Sequence, residues 1–131
     1  MGMYTEVFVT GSFTEGAGAN EDLLNYLFNP DFRVFLPIET DGILVTKSRW
    51  LSVTRGGLSH YFENSKGFQR TCTFDDTDKT WNFTSLAHLK NYEGEAEAFF
   101  DFLDTQPGVR YFGYHRYEET PNEPKIRTNS R

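Results

Sequence analysis

The chain lacks the residues and segments that would cross-link it, hold zinc through thiolates or cross a membrane. Cys72 is its only cysteine, which excludes an internal disulfide and the paired thiolates of a zinc ribbon. No apolar run approaches the length of about 18 residues that a spanning helix needs. Residues 1–14 lack the basic and apolar segments of a signal peptide. We therefore expect a cytoplasmic protein with no membrane partner.

The sequence also contains few signs of catalysis. His60, His88 and His115 stand at no metal-ligand or triad spacing, and no phosphate-binding loop is present. Cys72 is expected to be a small buried residue of a strand rather than a nucleophile. The carboxylates of Asp75–Asp78 lack the glycine and final glutamate of an EF-hand, so we interpret this segment as a turn. The sequence predicts no catalytic residue, no cofactor and no bound metal.

What the chain does have is a high content of aromatic residues, with 13 Phe, 7 Tyr and 2 Trp. This much ring surface can form a hydrophobic core, which excludes a wholly disordered chain. The 131 residues are a usual size for one domain, and 19 acidic against 13 basic residues give a formal net charge of -6. These values indicate a single acidic globular domain.

Helical spacing predicts two helices, and alternating or β-branched segments predict the strands. Asn20 is predicted to cap the first helix, which Pro30 ends. The second helix is predicted at Tyr92–Asp104, where the apolar residues form one stripe. The predicted strands are residues 4–13, 32–38, 68–74, 81–86 and 109–118, together with 43–47 and 49–54, which are either two extended segments or one long bent strand.

The order of these elements predicts the fold class. Short connections between the middle strands favour antiparallel pairing. Two helices on one face of such a sheet form a two-layer α+β sandwich, with a mostly antiparallel sheet of about five to six strands. The order is also compatible with a ferredoxin-like arrangement that carries an inserted hairpin. We expect one domain at residues 1–119 and, because residues 120–131 hold two prolines and no periodicity, a loose C-terminal tail.

The second helix has the strongest charge pattern of the chain. Residues 91–104 contain no Lys or Arg, and like charges four residues apart slightly destabilise a helix. The segment therefore predicts either a solvated helix face or a surface that docks on a basic partner. The predicted partner-binding ridge consists of Glu93, Glu97, Asp101 and Asp104, and Glu95 adds a fifth partner-binding charge to the segment.

Residues 47–70 have the opposite charge, with five basic residues and one acidic residue. Basic and aromatic side chains on strands bind nucleotides through stacking and phosphate contacts. The other interpretation is a polar sheet edge with core aromatics between the charges. The residues of this alternative ligand site are Lys47, Arg49, Trp50, Arg55, His60, Tyr61 and Arg70.

Three stretches in the second half of the chain carry a resemblance to known sequences. Ser85–Glu93, Phe99–Leu103 and Gly113–Glu119 resemble the C-terminal half of small uncharacterised bacterial and phage accessory proteins. The resemblance implies no activity and transfers no functional residue. It favours a protein of a mobile element, a class in which small acidic inhibitors of host machinery are common.

These patterns lead to hypotheses of different classes. The leading one is a non-enzymatic acidic binding protein, in its more specific form a phage or mobile-element inhibitor that docks on the basic, nucleic-acid-binding surface of a host protein. Its net charge predicts no direct DNA binding. The alternative is a nucleotide-binding or small-anion-binding domain, or an enzyme, that uses residues 47–70. A third interpretation is a homodimer formed through an exposed strand edge.

Overall fold

The structure is a computed structural model that describes residues 4–31, 39–40, 43–44, 54, 69–89, 91, 94–120 and 122–129. Its elements follow in chain order, with two helices among the strands. They are β1 (Thr5–Thr14), α1 (Glu21–Phe28), β2 (Glu39–Thr40), β3 (Ile43–Leu44), β4 (Gln69–Asp75), β5 (Thr80–Leu89), α2 (Glu95–Asp104), β6 (Val109–Tyr117) and β7 (Lys125–Thr128).

Five of the strands form one sheet in the order β4-β5-β1-β6-β7, and every neighbouring pair is antiparallel. Both helices contribute to a single core on one face of this sheet. The predicted two-layer α+β sandwich is therefore confirmed, and the ferredoxin-like arrangement stays a prediction. We refer to the face that points away from α1 and α2 as the open face.

The two helices begin where polar side chains can satisfy their first backbone N–H groups. The Asn20 side-chain oxygen accepts a hydrogen bond from the backbone N–H of Leu23 at 3.2 Å, as the sequence predicts for a cap. The second helix begins at Glu95 rather than at Tyr92, because Gly94 has a left-handed φ of 74°. Asn91 still caps this helix, since its side-chain oxygen accepts from the N–H of Ala96 at 2.8 Å.

Replacement of Asn20 by alanine is expected to lower the free energy of unfolding by about 1 kcal/mol, because the N–H of Leu23 loses its partner. Chemical denaturation of the two proteins measures this difference. Asn20→Ser, which keeps a capping oxygen, is the control and is expected to retain most of the stability. A loss of equal size in both variants would contradict the capping role.

The core is built mainly from aromatic rings that interlock between the sheet and the helices. Phe28 of α1 stacks on Phe83 of β5 with 4.0 Å between ring centroids, and Phe99 of α2 contacts Phe28 edge-on at 6.0 Å. Phe100 lies over Gly113 of β6, where an added Cβ would come within 2.9 Å of the Phe100 ring. A side chain at position 113 would therefore push α2 away from the sheet.

Residues 125–128 correct the expectation of a loose C-terminal tail. They form β7, which pairs with β6 from Phe112↔Thr128 to His115↔Lys125. The sequence of this strand has no alternation of apolar residues that would have predicted it, and its one large apolar residue, Ile126, is 60% exposed. Backbone pairing and polar side-chain contacts hold this edge strand instead.

Part of the predicted middle sheet lies outside the described residues. This applies to the strand at 32–38 and to most of those at 43–47 and 49–54. Ile43–Leu44 pairs with Glu39–Thr40 in a separate two-stranded sheet. Thr54 is helical and not extended, which corrects the end of the predicted strand at 49–54.

Candidate functional site

The predicted acidic ridge of the second helix is not one unpaired surface. Glu95 is only 4% exposed, so it cannot reach a partner, and Glu93 lies outside the described residues. A guanidinium nitrogen of Arg127 on β7 donates to the carboxylates of Asp101 and Asp104, each at 2.8 Å. The charges of α2 are therefore partly neutralised from within the fold. The sequence did not predict these ion pairs, because Arg127 belongs to the segment that was expected to be a loose tail.

Glu97 is held at the start of α2 by the same asparagine that caps the helix. The side-chain amide of Asn91 donates to Glu97 at 2.9 Å. Burial alone would raise the pKa of Glu97, but this hydrogen bond, the residue's own backbone N–H and the nearby Lys125 outweigh it and lower the pKa. Glu97 is thus a charged structural residue of α2.

The buried imidazole of His115 leads to a pH prediction. Burial lowers the pKa of His115 below its usual value of 6.5, with Glu97 opposing the shift. The unfolded chain therefore binds a proton first as the pH falls below 6.5, and the folded protein loses stability in that range. His115→Phe is expected to lose less stability than the parent between about pH 7 and pH 5. Denaturation at both pH values measures this, and equal losses would contradict it.

The basic segment contributes one described residue of the alternative ligand site. Arg70 on β4 points to the end of α1, where its guanidinium donates to the backbone carbonyls of Tyr26 and Leu27 at 3.4 and 3.2 Å. It satisfies helix carbonyls that would otherwise lack partners, which gives Arg70 a structural role, and its assignment as a ligand residue stays a prediction. Six other predicted residues lie outside the described part: Lys47, Arg49, Trp50, Arg55, His60 and Tyr61.

Cys72 is half-buried against the core, as expected of a small strand residue. Burial raises the pKa of its thiol to about 12, so the thiol stays protonated near neutral pH. Its side chain is therefore a poor nucleophile and a structural part of β4.

Three segments that are distant in the sequence bring carboxylates to one end of the sheet. The N–H of Glu15, just after β1, donates to the carbonyl of Lys79 in the β4–β5 turn at 2.8 Å. The Glu21 carboxylate accepts from the N–H of Gly16 at 2.8 Å, which places the start of α1 beside them. We call this surface the acidic end, and it consists of Glu15, Glu21, Asp22, Asp75, Asp76 and Asp78.

The carboxylates of the acidic end are mostly exposed, and few of their negative charges are paired with a positive charge. Lys79 is the one cation in these segments, and its ammonium pairs with Asp76 at 2.6 Å. Asp75 accepts from the N–H of Thr77 at 2.9 Å, which confirms that this acidic segment is a turn. Glu15, Asp22 and Asp78 are exposed and make no side-chain hydrogen bond to the rest of the described chain. The acidic end is therefore the described surface best suited to attract a positive charge.

A polar cluster on the open face joins the three central strands. Glu6 of β1 accepts hydrogen bonds from Tyr114 at 2.7 Å and Arg116 at 2.8 Å, and its other oxygen lies 3.3 Å from His88 of β5. Burial and the Glu6 carboxylate raise the pKa of Tyr114 to about 12. Because each group is occupied by another, the cluster ties strands together rather than presenting a reactive group.

The open face also has a concavity of about 600 Å³. Among the described residues that line it, threonine, serine and asparagine side chains supply most of the polar groups, and Arg110 is the one cation. In the part of the chain that the structure describes, no group of three His, Cys, Asp or Glu residues could hold a metal ion.

Comparisons with known proteins give no family for this chain. Neither the protein-family models, nor the curated proteins, nor the solved structures contain a match. Within the described ranges, neither helix has the length and apolar character needed to cross a membrane.

Proposed function

We propose that the protein is a non-enzymatic binding protein that docks its acidic end on a basic surface of another protein. In its specific form, the partner surface is the nucleic-acid-binding site of a host protein, and docking blocks that site. The observation that carries the proposal is the convergence of six carboxylates and a single lysine at one end of the sheet.

The net charge of the chain supports an electropositive partner. The sequence has 19 acidic and 13 basic residues, which gives a formal net charge of -6. Several of those cations are already occupied, Arg116 by Glu6 and Arg127 by two aspartates of α2. A surface of this kind repels nucleic acid and accelerates encounter with a basic protein.

The acidic end carries the proposal better than the helix ridge does. Asp101 and Asp104 have a partner in Arg127, and breaking that pair would oppose docking. Glu15 and Asp78 have no such pair among the described residues. A Lys or Arg of a partner could therefore pair with them without breaking an existing ion pair.

Capture from a bacterial lysate tests the proposal with two charge-matched variants. The test variant combines Glu15→Gln with Asp78→Asn at the acidic end. The control combines Asp31→Asn with Glu119→Gln, which removes two exposed charges that do not belong to the acidic end. Immobilised parent, test and control proteins are compared by mass spectrometry of the bound fraction.

The parent and the control are expected to retain the same basic protein, which the test variant loses and which salt elutes. Nucleic acid added in excess is expected to compete for that partner. Equal retention by all three proteins, or retention of proteins without a basic surface, would contradict the proposal.

A further inference from the structure

Arginines and aromatic rings alternate with buried residues along β6 and lie on the open face. We call these four side chains the β6 strip, and they are Arg110, Phe112, Tyr114 and Arg116. Phe112 is 45% exposed, although β6 is paired on both sides by β1 and β7. The strip therefore presents a large ring to solvent from within the sheet rather than from a loop.

The rings of the strip continue onto β1. Phe8 pairs directly with Tyr114, and their rings stack with 5.6 Å between centroids and 29° between planes. Both rings are partly exposed, and Phe112 lies about 7 Å further along the same face of β6. The three rings form an aromatic platform of the kind on which the bases of a single-stranded nucleic acid stack.

The sequence of β6 has a pattern that is typical of RNA-binding sheets. That octapeptide has a basic residue first, aromatic residues third, fifth and eighth, and Gly or Ala fourth. Residues 110–117 have all five of these features. They depart from it at Tyr111 and His115, where the octapeptide has Gly and Val. Both of these side chains are buried away from the open face, so the exposed part of the pattern is intact.

The charge of this part of the open face suits a phosphate backbone. Arg110 is exposed at one end of the strip. Among the described residues of β1 and β6, Glu6 is the one carboxylate on this face, and it accepts hydrogen bonds from Tyr114 and Arg116. The carboxylates of the acidic end lie outside these two strands. A strand of nucleic acid on the aromatic platform would therefore meet a positive charge and no unpaired negative one.

The concavity of the open face adjoins the platform, since Phe112 and Arg110 both line it. Thr10 and Ser12 of β1 and Asn82 of β5 supply neutral polar groups to the same concavity. Hydroxyl and amide groups can bind the edges of bases and the 2′-hydroxyl of ribose, which is the group that distinguishes RNA from DNA. The neutral lining thus favours RNA as the ligand.

We propose that the open face of β1 and β6 binds single-stranded RNA. Successive bases stack on the aromatic platform, Arg110 contacts a phosphate, and the polar side chains of the concavity contact the ribose. Stacking rather than phosphate contact carries most of the affinity, which is compatible with a chain of net charge -6. This site is independent of the proposed docking function, which uses the acidic end.

Fluorescence anisotropy with a labelled RNA octamer of random sequence tests the site, because stacking on aromatic rings tolerates any base. The full chain is expected to bind the octamer saturably, and to bind the random DNA octamer more weakly. Phe112→Ala is expected to weaken RNA binding by about tenfold, and Phe112→Trp to retain it. Arg110→Gln is expected to reduce the slope of log affinity against log salt by about 0.7.

Two matched controls change the other side of the sheet. Tyr117→Ala removes a ring that is 41% exposed, and Lys125→Gln removes a positive charge opposite the buried His115. Both are expected to bind RNA as the parent does. The acidic-end variant Glu15→Gln/Asp78→Asn is expected to bind RNA at least as tightly as the parent, which separates this site from the docking surface.

The absence of saturable RNA binding up to about 100 µM protein would overturn the proposal. Equal effects of Phe112→Ala and Tyr117→Ala would also overturn it, because the platform would then have no special role. Equal binding of the RNA and DNA octamers would contradict the assignment of RNA as the ligand.

Discussion

Replacement of Phe100 by alanine is expected to lower the free energy of unfolding by about 3–5 kcal/mol, the usual cost of removing a fully buried ring. Phe100 has no exposed surface and contacts rings on both layers of the sandwich. Its centroid lies 5.3 Å from that of Phe99 and 5.7 Å from that of Tyr111, and the Arg127 guanidinium lies 5.5 Å from it.

Neighbouring side chains cannot readily fill the cavity that removal of the Phe100 ring would leave. Gly113 beneath it has no side chain to move into the space, and the neighbouring rings are held by their own contacts. Phe112→Ala on the open face is the control, because Phe112 is 45% exposed and is expected to cost less than about 1 kcal/mol. Urea denaturation of both variants measures the difference. Equal losses of stability would contradict the placement of α2 over β6.

Truncation after Glu119 is expected to lower the free energy of unfolding by about 3 kcal/mol or more. Each hydrogen bond that is lost contributes about 0.5–1.5 kcal/mol to this decrease. The cut removes β7 and the polar contacts around it. The Thr128 hydroxyl donates to the backbone carbonyl of Tyr111 on β6 at 2.8 Å. The Asn129 side chain accepts from the N–H of Tyr111 and donates to the carbonyl of Val109, both at 2.8 Å. The cut also removes Arg127 from the two aspartates of α2.

Loss of Arg127 leaves two like charges at the C-terminal end of α2, where the helix dipole disfavours negative charge. Two single variants separate these contributions. Arg127→Met is expected to reproduce part of the loss, whereas Ile126→Ala is expected to cost little because Ile126 is largely exposed. Thermal unfolding monitored by circular dichroism measures all three proteins. A melting curve that truncation leaves unchanged would show that β7 adds nothing to the fold.

Local patterns in the sequence predicted the elements that have a buried face. In β6, alternation correctly separated Tyr114 and Arg116 on one face from His115 on the other. In α1, Asn20, the apolar spacing and Pro30 together defined a helix that the structure has at Glu21–Phe28. Burial acts on each of these segments separately, so a pattern within one segment is enough to reveal it.

Features that depend on two distant segments could not be predicted in this way. Nothing near Asp101 in the sequence indicates that Arg127 neutralises it, because the pair exists only once β7 joins the sheet beside β6. The acidic end was missed for the same reason, since its charges come from the β1–α1 connection and from the β4–β5 turn. Glu6 and His88 face each other only in the register of β1 with β5.

The most direct test of the docking account is the association rate of the captured partner with three proteins at two ionic strengths. At about 0.01 M salt the Debye length is about 30 Å, and at about 1 M it is about 3 Å. The parent and the Asp31→Asn/Glu119→Gln control are expected to associate about tenfold faster at low salt than the Glu15→Gln/Asp78→Asn variant, because steering acts through the acidic end. At high salt the three rates are expected to converge. Equal association rates of all three proteins at low salt would contradict the claim that the acidic end is the docking surface.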